Sequence, residues 1–166
     1  MTTKTTHIEA NIGISEENKQ IVADRLNRLL ANEYVLYTKT RKFHWNVEGP
    51  LFQTLHALFE DQYNELADII DEVAERVRKL GHYAIGSLKQ FGALADLLEH
   101  DGEKAEDAKT LLSELTEDHE TIIRIIRNEL IPIADQYKDL GTNDLLTGIL
   151  EQHETAAWKL RATAKE

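Results

Sequence analysis

The chain has 166 residues, enough for one domain with a single sizeable core, and its 42% hydrophobic and 30% charged content suits a well-solvated globular protein. A formal net charge of -11 opposes broad affinity for a phosphate backbone and favours cations. With no cysteine, disulfides, thiolate metal sites and thiol catalysis are excluded, and the one methionine is Met1. No apolar run reaches the length of a membrane span and residues 1–13 lack the apolar region of a signal peptide, so a cytoplasmic protein is expected.

Residues 1–14 have little periodicity and read as a flexible arm, leaving 15–166 as the folded domain. Ser15 before Glu16 and Glu17 marks a helix start, and Val22, Leu26, Leu29, Leu30, Val35, Leu36 and Tyr37 carry its apolar stripe to about Phe43. The chain then turns over 46–50. From Pro50 to Gly81 there is no other Pro or Gly, and Leu55, Leu58, Phe59, Leu66, Ile69, Val73, Val77 and Leu80 predict a second long helix. Gly86, Gly92 and Gly102 punctuate an irregular crossover with room for a short helix. A third long helix is expected over 103–137, buried through Leu111, Leu112, Leu115, Ile122, Ile126 and Leu130 and disturbed by Pro132. Thr142 or Asn143 is the expected cap of a fourth, carrying Leu145, Leu146, Ile149, Leu150, Trp158 and Leu160. Four long helices with a long central crossover predict an all-α bundle.

The second helix also carries chemistry. Taking His56 as zero, Glu60, Asp71 and Glu75 fall within a sector of about 100° on its polar face, and His44 lies twelve residues before His56. Imidazoles and carboxylates without thiolates suit Fe(II), Mn(II) or Zn(II). His56 and Asp71 are about 22 Å apart along a helix axis, too far for one ion. Two such helices packed antiparallel about a two-fold axis bring His56 and Glu60 of one chain to Asp71 and Glu75 of the other, making the site twice. An intersubunit metal site, and hence an obligate oligomer, follows. The bland alternative is a solvated acidic face with surface histidines.

Two stretches resemble the signatures of the Dps family, the mini-ferritins called DNA-binding proteins from starved cells. One is His44-Trp45-Asn46-Val47-Glu48-Gly49 with Leu55-His56 and Glu60; the other is Ile70-Asp71-Glu72-Val73-Ala74-Glu75-Arg76 with Leu80-Gly81 and Ala84. The resemblance covers nearly the whole chain. It implies a ferritin-like four-helix bundle with a short extra helix in the crossover, assembled as a hollow dodecamer. It also implies a ferroxidase centre in which His44, His56 and Glu60 of one subunit meet Asp71 and Glu75 of its neighbour. Fe(II) is then oxidised by hydrogen peroxide or oxygen and stored as ferric mineral, with peroxide preferred on family grounds.

Further expectations attach to single residues. Trp45, next to the first ligand, is read as an interface packing residue, with a redox-neighbour role as the alternative. Asp135, Asp139 and Asp144 make the third connection acidic; the bland reading is a wet surface, and the resemblance implies a three-fold iron pore with Asp144 first and Asp139 second. His7, His82, His100, His119 and His153 are read by default as surface histidines, with adventitious zinc as the alternative. The arm offers Lys4 against Glu9, and Lys159, Arg161 and Lys165 follow a helical pattern, so DNA binding is expected to be weak or absent. The competing reading is a DNA-associating, nucleoid-bound or structural cage whose metal site holds zinc.

Overall fold

A computed structural model describes residues 9–102 and 107–165. Its helices are α1 (Glu16–Asn46), α2 (Phe52–Lys79), α3 (Leu88–Leu94), α4 (Ala108–Ile125), α5 (Ile131–Gln136) and α6 (Leu140–Thr163), with a π-helical turn over Ile126–Leu130 joining α4 to α5. Among the described residues there are no strands. The short α1–α2 and α5–α6 links make antiparallel hairpins, and the long crossover carrying α3 runs between them, so the rods formed by α1, α2, α4–α5 and α6 enclose one core.

Local chemistry accounts for the element ends. Ser15 caps α1 by accepting from the Asn18 amide at 3.3 Å. Gly81, at φ 92°, closes α2: its amide donates to Arg78 O and the His82 amide to Val77 O, two bonds that need a left-handed residue between them. Ser87 and Gln90 form a reciprocal capping box at the start of α3. That crossover is held to α1 by Arg28, whose guanidinium makes two bonds to the Asp96 carboxylate at 2.5 and 2.9 Å. Those hydrogen bonds hold the Asp96 carboxyl below its ordinary range.

Three boundaries differ from expectation. α1 continues three residues past Phe43, so His44 and Trp45 are helical and the turn proper is 47–51. The start placed at Glu103 lies outside the described residues; Asp107 caps α4 through the Thr110 amide. The disturbance expected of Pro132 is present as the π turn immediately before it, which realigns the backbone where a proline has no N–H to give. The cap of α6 is Asp139, not Thr142 or Asn143. Lys138 takes the left-handed conformation at φ 56°, the chain reverses early, and Asp139 accepts from the Thr142 amide at 3.0 Å. Gly141 then sits inside the first turn of α6, where a Cβ would meet the Arg76 guanidinium nitrogens at 3.0 Å.

The core is formed by the apolar stripes read from the sequence. Leu26, Leu29, Leu30 and Leu36 of α1, Leu55, Phe59 and Leu66 of α2, Leu112, Leu115 and Ile122 of α4, and Leu146 and Leu160 of α6 are each 1% exposed or less. Trp158 points outward instead, at 61% exposed.

Candidate metal centre

Because α1 runs through Asn46 and α2 begins at Phe52, the last turn of one helix and the second turn of the other meet at a corner. Gly49, at φ 99°, lets the chain reverse there, and the buried Val47 plugs the turn. His44 and His56 face each other across it, rings nearly parallel with centroids 3.7 Å apart.

Each ring is oriented by the other residue's backbone. His44 Nδ1 lies 2.8 Å from His56 O, and His56 Nδ1 lies 2.9 Å from His44 O. A carbonyl only accepts, so both imidazoles carry hydrogen on Nδ1 and, when neutral, keep the lone pair on Nε2. That is the tautomer of a histidine prepared as a metal ligand, with its second nitrogen held in place. Phe52 stacks on the outer face of His56 at 5.0 Å, and Tyr63 presents an edge to His44 at 5.2 Å. Glu60 is exposed on the same face and accepts from the Tyr63 hydroxyl at 3.4 Å. Desolvation, then the Glu60 carboxylate, push the Tyr63 phenol up from its ordinary value.

Asp71 and Glu75 lie farther along α2, both exposed, with Lys79 3.6 Å from Glu75. Within one chain, among the described residues, no three His, Asp or Glu side chains converge to hold an ion. The five expected ligands thus fall into two groups on one subunit: His44, His56 and Glu60 at the corner, Asp71 and Glu75 down the helix. Trp45 is 63% exposed beside the corner, with the Arg41 guanidinium 5.2 Å from its ring centre, and Leu51 and Phe52 extend the exposed apolar surface around it.

The three candidate pore acids separate as well. Asp135 and Asp144 are exposed, and Asp135 accepts from the Asn143 amide. Asp139 is 2% exposed; besides capping α6 it accepts from Thr142 Oγ1 at 2.6 Å and pairs with Arg76 at 2.6 Å. Its carboxylate is committed to the fold, which removes it from a pore lining.

The remaining histidines include a correction. His82 lies 3.2 Å from the Glu16 carboxylate and His100 pairs with Glu114 at 3.1 Å, both half-buried; His7 lies outside the described residues. His119 and His153, read as surface residues, are 2% and 1% exposed and bonded to each other at 2.8 Å. The acidic neighbours Asp118, Glu120, Glu151 and Glu154 suggested solvent. The informative signal was the spacing. His119 continues the stripe Leu112, Leu115, Ile122, Ile126, and His153 continues Leu146, Leu150, Ala157, Leu160.

Residues 23–166 match the ferritin-like domain family, and the chain belongs to it. Within that class it is a mini-ferritin of the Dps type. It is 37% identical to the DNA protection during starvation protein 2 of Bacillus anthracis, over 87% of this chain and 97% of that protein. It is 46% identical to an uncharacterized low temperature-induced protein of Nostoc sp., over 92% of this chain and 84% of that one. The crystal structure of a Dps protein from Vibrio cholerae O1, described as a member of a broad superfamily of ferritin-like diiron-carboxylate proteins, superposes with a TM-score of 0.88 at 32% identity, covering 93% of this chain and 96% of that one.

Proposed function

We propose that the protein is a ferroxidase and iron-storage cage, with Fe(II) as the substrate of sites formed between subunits. One observation carries this reading: the reciprocal His44–His56 pair offers two oriented Nε2 lone pairs at a corner beside the exposed Glu60. Asp71 and Glu75 meanwhile stand exposed on the same helix with no histidine beside them. Two-fold packing of α2 against its copy joins the halves, and the exposed Trp45, Leu51 and Phe52 are the apolar rim that such packing covers. Closure into a dodecamer is proposed from the likeness to Dps proteins. No described helix is long and apolar enough to cross a membrane.

In this site His44 and His56 hold ferrous iron through neutral nitrogen, and Glu60 with Asp71 and Glu75 of the partner subunit supplies the negative charge that favours the ferric product. Two Fe(II) give up one electron each. Hydrogen peroxide, taking both, has its O–O bond broken to two hydroxides, and no hydroxyl radical is released. Carboxylates at Asp135 and Asp144, repeated around a three-fold axis, would gather Fe(II) on the way in.

The test is anaerobic Fe(II) loading followed by a stoichiometric peroxide pulse, read as ferric absorbance, on wild type and Asp71→Asn. Fast oxidation in wild type with a loss of about tenfold or more in the variant is expected. Equal, slow oxidation in both would overturn the assignment and favour a zinc-filled or structural site.

A further inference from the structure

A second set of donor atoms lies inside the bundle, away from the corner. Glu33 of α1, His119 of α4 and His153 of α6 are each 2% exposed or less. His153 Nε2 is 2.9 Å from Glu33 Oε1, and His153 Nδ1 is 2.8 Å from His119 Nδ1. A carboxylate accepts, so His153 donates from Nε2 and, when neutral, offers its Nδ1 lone pair to the Nδ1–H of His119. The remaining lone pair of the relay is then on His119 Nε2, which is buried and has no hydrogen-bond partner. Burial, and then the nearby His153, hold His119 well below the ordinary imidazole range, so this nitrogen stays unprotonated near neutral pH.

A second buried acceptor shares its surroundings. Gln62 Nε2 donates to the Ala156 carbonyl at 3.3 Å, which leaves Gln62 Oε1 without a partner. His119 and Gln62 line one cavity of about 10 Å³, room for one water-sized occupant, with Glu65 and Gln152 also in its wall. Those last two residues also line a surface groove of about 460 Å³ between α2 and α6, together with the carboxylates of Asp68 and Glu151. An acidic groove therefore adjoins a single-ion cavity whose inner wall carries two unpaired electron-pair donors.

We propose that this cavity is a metal site internal to each subunit, taking a divalent transition ion of the Zn(II) or Fe(II) class. His119 Nε2 and Gln62 Oε1 are its inner ligands and Glu65 closes it from the rim. Imidazole selects such ions over Mg(II) and Ca(II). The Glu33–His153 relay behind His119 orients the ligand ring and fixes its tautomer, as outer-shell partners do at metal-bound histidines. The groove acids concentrate cations at the mouth. None of the three ligands belongs to the intersubunit set, so the site does not depend on the ferroxidase reading.

The experiment uses the full-length, metal-stripped assembly carrying His56→Ala, Asp71→Asn and Glu75→Gln, three changes that leave only His44 and Glu60 of the intersubunit ligands. Zn(II) is titrated by calorimetry, thermal unfolding is followed with and without Zn(II), and Co(II) is used as a spectroscopic probe of nitrogen ligation. One Zn(II) per subunit, a raised Tm and visible Co(II) absorbance are expected. Adding His119→Gln should abolish all three. Adding Glu65→Gln, at an exposed position that leaves the fold intact, should weaken Zn(II) binding about tenfold, or about 1.4 kcal/mol. Absence of Zn(II) binding in the His56→Ala, Asp71→Asn, Glu75→Gln protein, or binding that survives the addition of His119→Gln, would overturn the proposal and assign the cavity to water. Binding undiminished by Glu65→Gln would overturn it as well.

Discussion

The molecule contains two histidine pairs built in opposite ways. At the corner, His44 and His56 stack face to face and are oriented by each other's main-chain carbonyls, so each keeps a lone pair for an outside partner. At the bundle centre, His119 and His153 meet nitrogen to nitrogen and are oriented by the buried Glu33 carboxylate, so three of their four nitrogens are consumed internally. Main-chain orientation costs no charged group and suits a half-exposed site completed by another subunit. Side-chain orientation in a dry interior needs a buried carboxylate, and ties that cluster to stability as much as to binding.

The sharpest way to break this contrast is to remove the carboxylate. Glu33→Leu leaves the His153 donor unpaired in the core, and an unsatisfied buried donor should cost about 1–3 kcal/mol, measured by denaturant unfolding. Equal stability of variant and wild type would mean that the central pair is as loosely coupled to the fold as the corner pair. Asp139→Ala tests a comparable dependence away from the histidines. It removes the α6 cap and the Arg76 partner together and should cost about 2–4 kcal/mol by the same measurement.

His56→Ala should show the opposite balance, with peroxide-driven Fe(II) oxidation falling by about tenfold or more while stability changes by only about 1 kcal/mol. A large stability loss with oxidation intact would reverse the roles of the two pairs.

Acidity separates them further. The folded state holds His119 well below 6.5, whereas the unfolded chain protonates near that value. The unfolded state therefore binds protons first, and the stability present above about pH 6.5 declines as pH falls toward the folded value. Tm measured from pH 7.5 down to 5 should fall, and His119→Gln should flatten the decline. An identical slope in both proteins would exclude His119 as the cause. Ser15→Ala, at the far end of α1, gives the smallest expected effect, about 1 kcal/mol by denaturant unfolding, and calibrates the larger losses.

The sequence marked the corner pair because its residues interrupt their own surroundings: His44 and His56 flank a Gly-Pro turn, and Glu60, Asp71 and Glu75 recur on a polar helix face. It obscured the central cluster because Glu33, Gln62, His119 and His153 occupy positions on the apolar stripes of four different helices. Gln62, His119 and His153 each read in isolation as a polar residue among charged neighbours, and Glu33 as a lone acid on a helix. The tail of α5 was obscured for another reason. Nothing in Lys138 advertises a left-handed conformation, so the cap was expected later, at Thr142 or Asn143, and Gly141 instead makes room for Arg76 inside the first turn.

Sequence alone determined the four amphipathic rods, the long crossover, the resemblance to mini-ferritins, and the conclusion that His56 and Asp71 of one chain cannot share an ion. These follow from helical periodicity, turn chemistry and the rise per residue, all properties of neighbours along the chain. Tertiary structure decided the rest. It set the tautomers of His44 and His56, committed Asp139 to a cap and an ion pair, and joined Glu33, His153 and His119 behind a one-ion cavity. Those outcomes depend on atoms brought together from separate helices, and burial gives each unpaired or paired polar group its energetic weight.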